Sequence, residues 1–212
     1  MKYLLLFLSL LLFSCGNNNS EVNKIQKPEE KKIILCLGDS LTAGYGVQEN
    51  ENYPYKLQKI LDDNGYNYLV INAGVSGDTS QNILSRASLY LDKKPNIVIL
   101  VAGGNDGLRG LSTTDLKNNI LGIVNIFKGS KVVIAGMDIP LNLGLQYKSD
   151  FKKVYSDISN ENKNIYFLKF FLDGVAGKQE LNIQDMIHPN SFGYDIIVKN
   201  LFDFLKENKV IE

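Results

Sequence analysis

The chain has 212 residues, enough for one domain with a core of its own. Hydrophobic residues make up 44% and charged residues 22%, and a formal net charge of +0 leaves no basic field for nucleic acid. With two cysteines and one histidine, a zinc site of the usual Cys/His kind cannot be built from Cys15, Cys36 and His188 at their spacings.

Met1-Lys2 is a short positive start, and residues 3–13 are an almost unbroken apolar run. A bilayer span takes ~20 residues, so this run reads as the core of a secretory signal. It closes on Leu12-Phe13-Ser14-Cys15-Gly16, which resembles a bacterial lipobox. That resemblance implies lipidation of Cys15, removal of residues 1–14 as a lipoprotein signal peptide, and export to the cell envelope with a membrane surface as partner. An ordinary cleaved signal with a chance cysteine is the alternative. Residues 15–31 are rich in Asn, Lys and Glu and poor in apolar side chains, the composition of a flexible tether. Cys36 then stands alone in an apolar run, a small buried hydrophobe with no disulfide partner.

Residues 32–212 form the folded part. Continuous apolar runs at 33–37, 68–72, 97–102, 131–135 and 165–168 read as strands of a parallel sheet covered on both faces. Helical periodicity fills the intervals at 53–63, 80–92, 113–127, 151–159 and 191–207, with Ser80 and Ser191 placed to cap two of these helices. Strands alternating with helices predict a three-layer, doubly wound α/β/α sheet, in which ligands bind beyond the carboxyl ends of the strands.

Three of those ends carry glycine-bearing sequences: Gly38-Asp39-Ser40 after the first strand, "NAGVSGDTS" (72–80) after the second and "GGNDGLRG" (103–110) after the third. Parallel strands bring these loops to one edge. Ser40 is either a helix cap or a nucleophile, and a nucleophilic serine needs a base. His188 is the single histidine, and Asp185 stands three residues before it, close enough to hold its Nδ1. The backbone N–H groups of Ser40 and Gly77 and the side-chain amide of Asn105 are candidate oxyanion donors. Asp39, Asp106 and Arg109 read as braces of their loops.

These four blocks resemble those of the GDSL or SGNH hydrolases, closest in form to the thioesterase I, arylesterase and lysophospholipase branch. The serine comes from "GDSL" (38–41), the glycine from Gly77, the asparagine from "GGND" (103–106) and the aspartate and histidine from "DMIHP" (185–189). The resemblance implies a flavodoxin-like sheet of five parallel strands and a shallow, open site. It implies hydrolysis of esters and thioesters through an acyl-enzyme, with Ser40, Asp185 and His188 catalytic and no metal or cofactor.

The expected activity is therefore a serine esterase of the envelope acting on small-molecule or lipid esters such as lysophospholipids, acyl thioesters or aryl esters. A carbohydrate O-acetylesterase is the alternative within the class, and a non-catalytic ligand-binding lipoprotein the alternative outside it. A phosphate-cradling turn at 38–46 is disfavoured, because it lacks both a Walker lysine and dinucleotide glycine spacing. The apolar stretch at 139–147 either lines an acyl groove through Leu143 and Leu145 or covers the sheet.

Overall fold

The structure, a computed structural model, describes residues 30–162 and 165–212. The readings on residues 1–14, on Cys15 and on nearly all of the tether fall outside the described residues.

The apolar runs become five strands: β1 (Lys32–Gly38), β2 (Tyr68–Gly74), β3 (Ile97–Val101), β4 (Lys131–Ala135) and β5 (Ile165–Leu168). All pair in parallel, in the order β2-β1-β3-β4-β5. This is the flavodoxin-like order, whose switch point lies between β1 and β3. Every residue of central β3 is buried, whereas β2 at the sheet edge exposes Leu69. That gradient explains why the central strands have no polar alternation.

Among the described residues there are seven α-helices: α1 (Ser40–Ala43), α2 (Tyr53–Asp63), α3 (Ser80–Ala87), α4 (Gly104–Leu108), α5 (Thr113–Ile126), α6 (Leu145–Glu161) and α7 (Ser191–Glu207). Helices α2 and α7 pack together, as do α3 with α5 and α5 with α6, so helices cover both faces of the sheet. The core runs through Ile34, Leu35, Leu37, Val98, Ile99, Leu100 and Val133 to Leu57, Ile120, Phe151 and Ile197. Each such side chain contributes ~1.5–3 kcal/mol by leaving water. Two buried tyrosines fasten helices to the carboxyl edge. Tyr155 of α6 donates to the Ala102 carbonyl (2.9 Å), and Tyr194 of α7 donates to that of Leu41 (3.0 Å).

The expected caps are displaced by one residue. Thr79 caps α3 in a capping box with Asn82, and Asn190 caps α7 by accepting from the Gly193 N–H at 3.0 Å. Ser80 and Ser191 are the first helical residues instead, because the extended backbone that a cap needs sits at 79 and 190. The helix expected to reach residue 92 tightens into a 3-10 turn from Ser88. The helix expected from 151 starts earlier, at Leu145, directly after Gly144 at φ +89°. Among the described residues no helix is long and apolar enough to cross a membrane.

Register places Gly38 beside Gly74 and Val101, so the three strands end level. A Cβ on Gly74 would collide with the backbone of Thr42 and Ala43, whereas one on Gly129 would meet nothing within 4 Å. Gly74→Ala is expected to lower stability by ~3 kcal/mol or to prevent folding, and Gly129→Ala to stay within ~0.5 kcal/mol. Denaturant unfolding midpoints check this, and similar midpoints for the two variants would refute the close packing.

Candidate active site

β1 ends at Gly38 and the chain turns at once. Asp39 takes the cap position of α1, its carboxylate accepting the Leu41 N–H at 3.0 Å. The cap role open to Ser40 thus belongs to its neighbour. Ser40 opens α1, where a first-turn N–H has no intrahelical acceptor. Its Oγ lies 2.8 Å from His188 Nε2.

His188 arrives on a loop that folds back on itself. Asn182 and Pro189 form a β-bridge, and the Ile183 N–H donates to the His188 carbonyl at 2.9 Å. Asp185 Oδ1 accepts the N–H groups of Ile187 (2.9 Å) and His188 (3.0 Å), while Oδ2 sits 2.6 Å from His188 Nδ1. Partial burial pushes the Asp185 carboxyl up, but these donors and the imidazole outweigh it and hold the group below its ordinary value. An ionised Asp185 favours the proton on Nδ1, leaving Nε2 to accept from Ser40. Ser40, His188 and Asp185 therefore stand in one hydrogen-bonded line. The Tyr45 ring rests against the imidazole, with centroids 4.8 Å apart. The sequence alone does not announce this contact; its only signal is an aromatic residue in the same glycine-rich turn.

The second and third loops close on the first. The Val75 N–H donates to the Gly38 carbonyl at 3.0 Å. Gly77 has φ +88°, a conformation that favours glycine, and the space where its Cβ would stand is empty for 4 Å. Asn105 sits in the first turn of α4, and its Nδ2 donates to the Asp78 carbonyl at 2.9 Å. Asp106 braces the loop as expected, accepting from the Ser80 N–H (2.8 Å) and hydroxyl (2.5 Å), while Asn119 Nδ2 donates to the same hydroxyl (2.9 Å). Arg109 Nη2 donates to the Gly77 carbonyl at 3.0 Å, an anchor within the site.

Leu143 is 42% exposed and Leu145 76%, so neither covers the sheet. Leu143 borders the loop of Gly110, while Leu145 opens α6. Cys36 is a free thiol in the buried face of β1; burial pushes it up to about 12, which leaves it unreactive. No cluster of His, Cys, Asp and Glu among the described residues is placed to hold a metal.

The model of the GDSL-like lipase/acylhydrolase family matches residues 36–196. The chain belongs to this family. It is accordingly a serine hydrolase acting on acyl esters. Esterase TesA of Pseudomonas aeruginosa is 36% identical over 178 residues, covering 82% of this chain and 88% of that protein. The Escherichia coli K12 protein described as thioesterase 1/protease 1/lysophospholipase L1 is 33% identical over 161 residues, covering 74% and 75%. The crystal structure of the psychrotrophic esterase EstA from Pseudoalteromonas sp., inhibited by monoethylphosphonate, superposes with a TM-score of 0.79 at 31% identity, covering 84% of this chain and 98% of that one. These likenesses and the strand order agree on the flavodoxin-like, three-layer SGNH fold.

Asp39 lies buried beside the serine. Burial raises its carboxyl to about 7, against the Leu41 N–H, and the carboxylates of Asp106 and Asp78 push it further up. The folded state thus holds this proton more tightly than the unfolded chain, whose value is ~3.9. The stability from this group is complete below pH ~4 and is lost as pH rises through about 7. Asp39→Asn keeps an acceptor for Leu41 but cannot ionise. Its stability relative to wild type should climb between pH 4 and pH 8 by up to ~4 kcal/mol. Melting curves at several pH values check this, and parallel profiles would refute it.

Proposed function

We propose that this serine hydrolase works through an acyl-enzyme, with Ser40 as nucleophile, His188 as general base and acid, and Asp185 as the group that orients and stabilises the imidazolium. The observation that carries the reading is the line Ser40 Oγ to His188 Nε2 (2.8 Å) and His188 Nδ1 to Asp185 Oδ2 (2.6 Å). His188 takes the hydroxyl proton as Oγ attacks the carbonyl carbon. The negative charge gathers on the former carbonyl oxygen, facing the N–H groups of Ser40 and Gly77 and the amide of Asn105. Collapse breaks the bond to the leaving group, which receives the proton from His188. Water, activated by the same imidazole, then cleaves the acyl-serine. Each preorganised donor is typically worth ~3 kcal/mol in the transition state.

Long-chain acyl esters are the substrate class we favour. Leu141, Leu143 and Leu145 stand exposed, with Leu143 bordering Gly110 at the end of the third loop, and such apolar side chains offer a surface on which an acyl chain can lie. Lysophospholipids, acyl thioesters and aryl esters fall within this chemistry. The lipobox-like sequence around Cys15 supports an envelope lipoprotein held on a membrane surface, where lipid esters are at hand.

The test is hydrolysis of p-nitrophenyl esters from two to sixteen carbons. Ser40→Ala and His188→Ala should each lower kcat by ~10⁴-fold or more. Activity surviving in either folded variant would refute the assigned roles. Joint replacement of Leu143 and Leu145 by Asn should reduce kcat/KM for long esters at least tenfold more than for acetate. Equal losses would remove the groove, and a wild-type preference for acetate would favour the carbohydrate deacetylase.

A further inference from the structure

The chain carries 23 basic residues, and only Arg86 and Arg109 are arginine. Both converge on Gly77 and Asp78, Arg109 on the backbone of the first and Arg86 on the side chain of the second. Arg86, on α3, spreads its guanidinium over three segments: Nε to the Asp78 carboxylate (2.7 Å), Nη1 to the Ala73 carbonyl at the end of β2 (2.9 Å) and Nη2 to the Gly38 carbonyl at the end of β1 (2.9 Å). The side chains of Arg86 and Asp78 are only 16% and 14% exposed. Arg109 approaches from the end of α4, its Nη2 shared between the Gly77 carbonyl (3.0 Å) and Asn105 Oδ1 (3.5 Å).

A glycine at φ +88° is the weakest point in such a site. It has no side chain to pack and little intrinsic preference for one hand of the backbone, so a shift of the chain there would carry its N–H away from the substrate. Three bonds hold the chain on the carboxyl side of that N–H and limit such a shift. Arg109 holds the carbonyl of Gly77, Asn105 Nδ2 holds the carbonyl of Asp78, and Arg86 holds the carboxylate of Asp78. Arg86 also ties the Asp78 side chain to the carbonyl of Gly38, two residues before Ser40. Arg109, by engaging Oδ1, turns the Asn105 amide so that one Nδ2 hydrogen meets Asp78 and the other stays available. A planar guanidinium fork suits such a role because it offers several donors in fixed directions, whereas the lysine ammonium is a point charge on a flexible stem.

We propose that Arg86 and Arg109 are positioning residues for the reaction, a two-sided clamp that fixes the Gly77 and Asn105 oxyanion donors relative to Ser40. The proposal rests on the acyl-enzyme reading above. It assigns the arginines no contact with substrate; they act through the donors, and small displacements of such donors are costly in rate.

The test compares Arg109→Ala, Arg109→Lys and Arg86→Lys with wild type, after circular dichroism and melting curves establish folding. Arg109 is near the surface, so its variants keep the test open if Arg86→Lys does not fold. For a p-nitrophenyl ester, Arg109→Ala should lower kcat ~10–100-fold with KM within ~3-fold, Arg109→Lys should recover little of it, and added guanidinium ion should restore part of the alanine variant's rate. Affinity for an alkylboronic acid, which forms a tetrahedral adduct on the serine, should fall by the same factor as kcat/KM. A purely structural role would not produce that parallel. A kcat within twofold of wild type, or a rise confined to KM, overturns the clamp. Hydrolysis by wild type that Ser40→Ala abolishes is the reading beneath it. Its absence overturns both, whereas hydrolysis untouched by the Arg109 variants overturns the clamp alone.

Discussion

Parallel strands must end together, and here the level ending of β1, β2 and β3 sets where everything else can go. The shared edge is crowded at one spot. Helix α1 starts two residues after Gly38, and a Cβ on Gly38 would collide with Thr42, just as one on Gly74 would collide with the backbone of Thr42 and Ala43. The helix that carries Ser40 is seated on two glycines because any side chain there would lift it off the sheet. Once α1 is fixed, His188 can reach it from 148 residues away, because α7 is pinned to α1 by the Tyr194 hydroxyl on the Leu41 carbonyl. The loop bearing Asp185 and His188 enters α7 through the Asn190 cap, so that pin also fixes the height of the imidazole.

Buried polarity is concentrated around the same edge. Asp39, Ser40, Thr42, Thr79, Ser80, Asp106 and Asn119 are all buried, and no buried side-chain polar atom among the described residues lacks a partner. A satisfied network of this kind is stiff, since each group lost would leave another unpaired in a low-dielectric surrounding. Asp39 is the exception in kind: it has its hydrogen bond, yet it lies close to two other carboxylates. The interior thus opposes full ionisation beside the serine, a local cost in stability met by the apolar strands beneath.

Much of this is legible in the sequence, for identifiable reasons. The central strands are buried on both faces, so their apolar runs are uninterrupted. Ser40, Asp185 and His188 stand out because one histidine leaves no choice of base and a three-residue spacing suits an aspartate beneath it. The caps are ambiguous where two capable residues adjoin, Thr79 with Ser80 and Asn190 with Ser191; which is extended depends on how the loop arrives. Helix α4 is hidden because Gly-Asn-Asp-Gly has poor intrinsic propensity and is held by its surroundings. The contacts of Tyr45 and Arg86 are hardly legible. The partner of Tyr45 lies far along the chain, and Arg86 stands in an unremarkable helix with partners on three separate segments, at Asp78, Ala73 and Gly38.

The strand that delivers the serine also separates it from the ends of the domain. Lys32 opens β1 seven residues before the turn, ~23 Å away at ~3.3 Å per residue. Glu212 lies at the same far edge, its N–H on the Tyr68 hydroxyl (3.4 Å) and its carboxylate on Lys131 (3.0 Å), residues that open β2 and β4. Cargo fused at either position, or a solid support grafted there, would therefore leave the approach to Ser40 unobstructed. A short peptide could also bridge 212 to 32, so that new ends can be cut elsewhere and the domain carried as an insert within another protein.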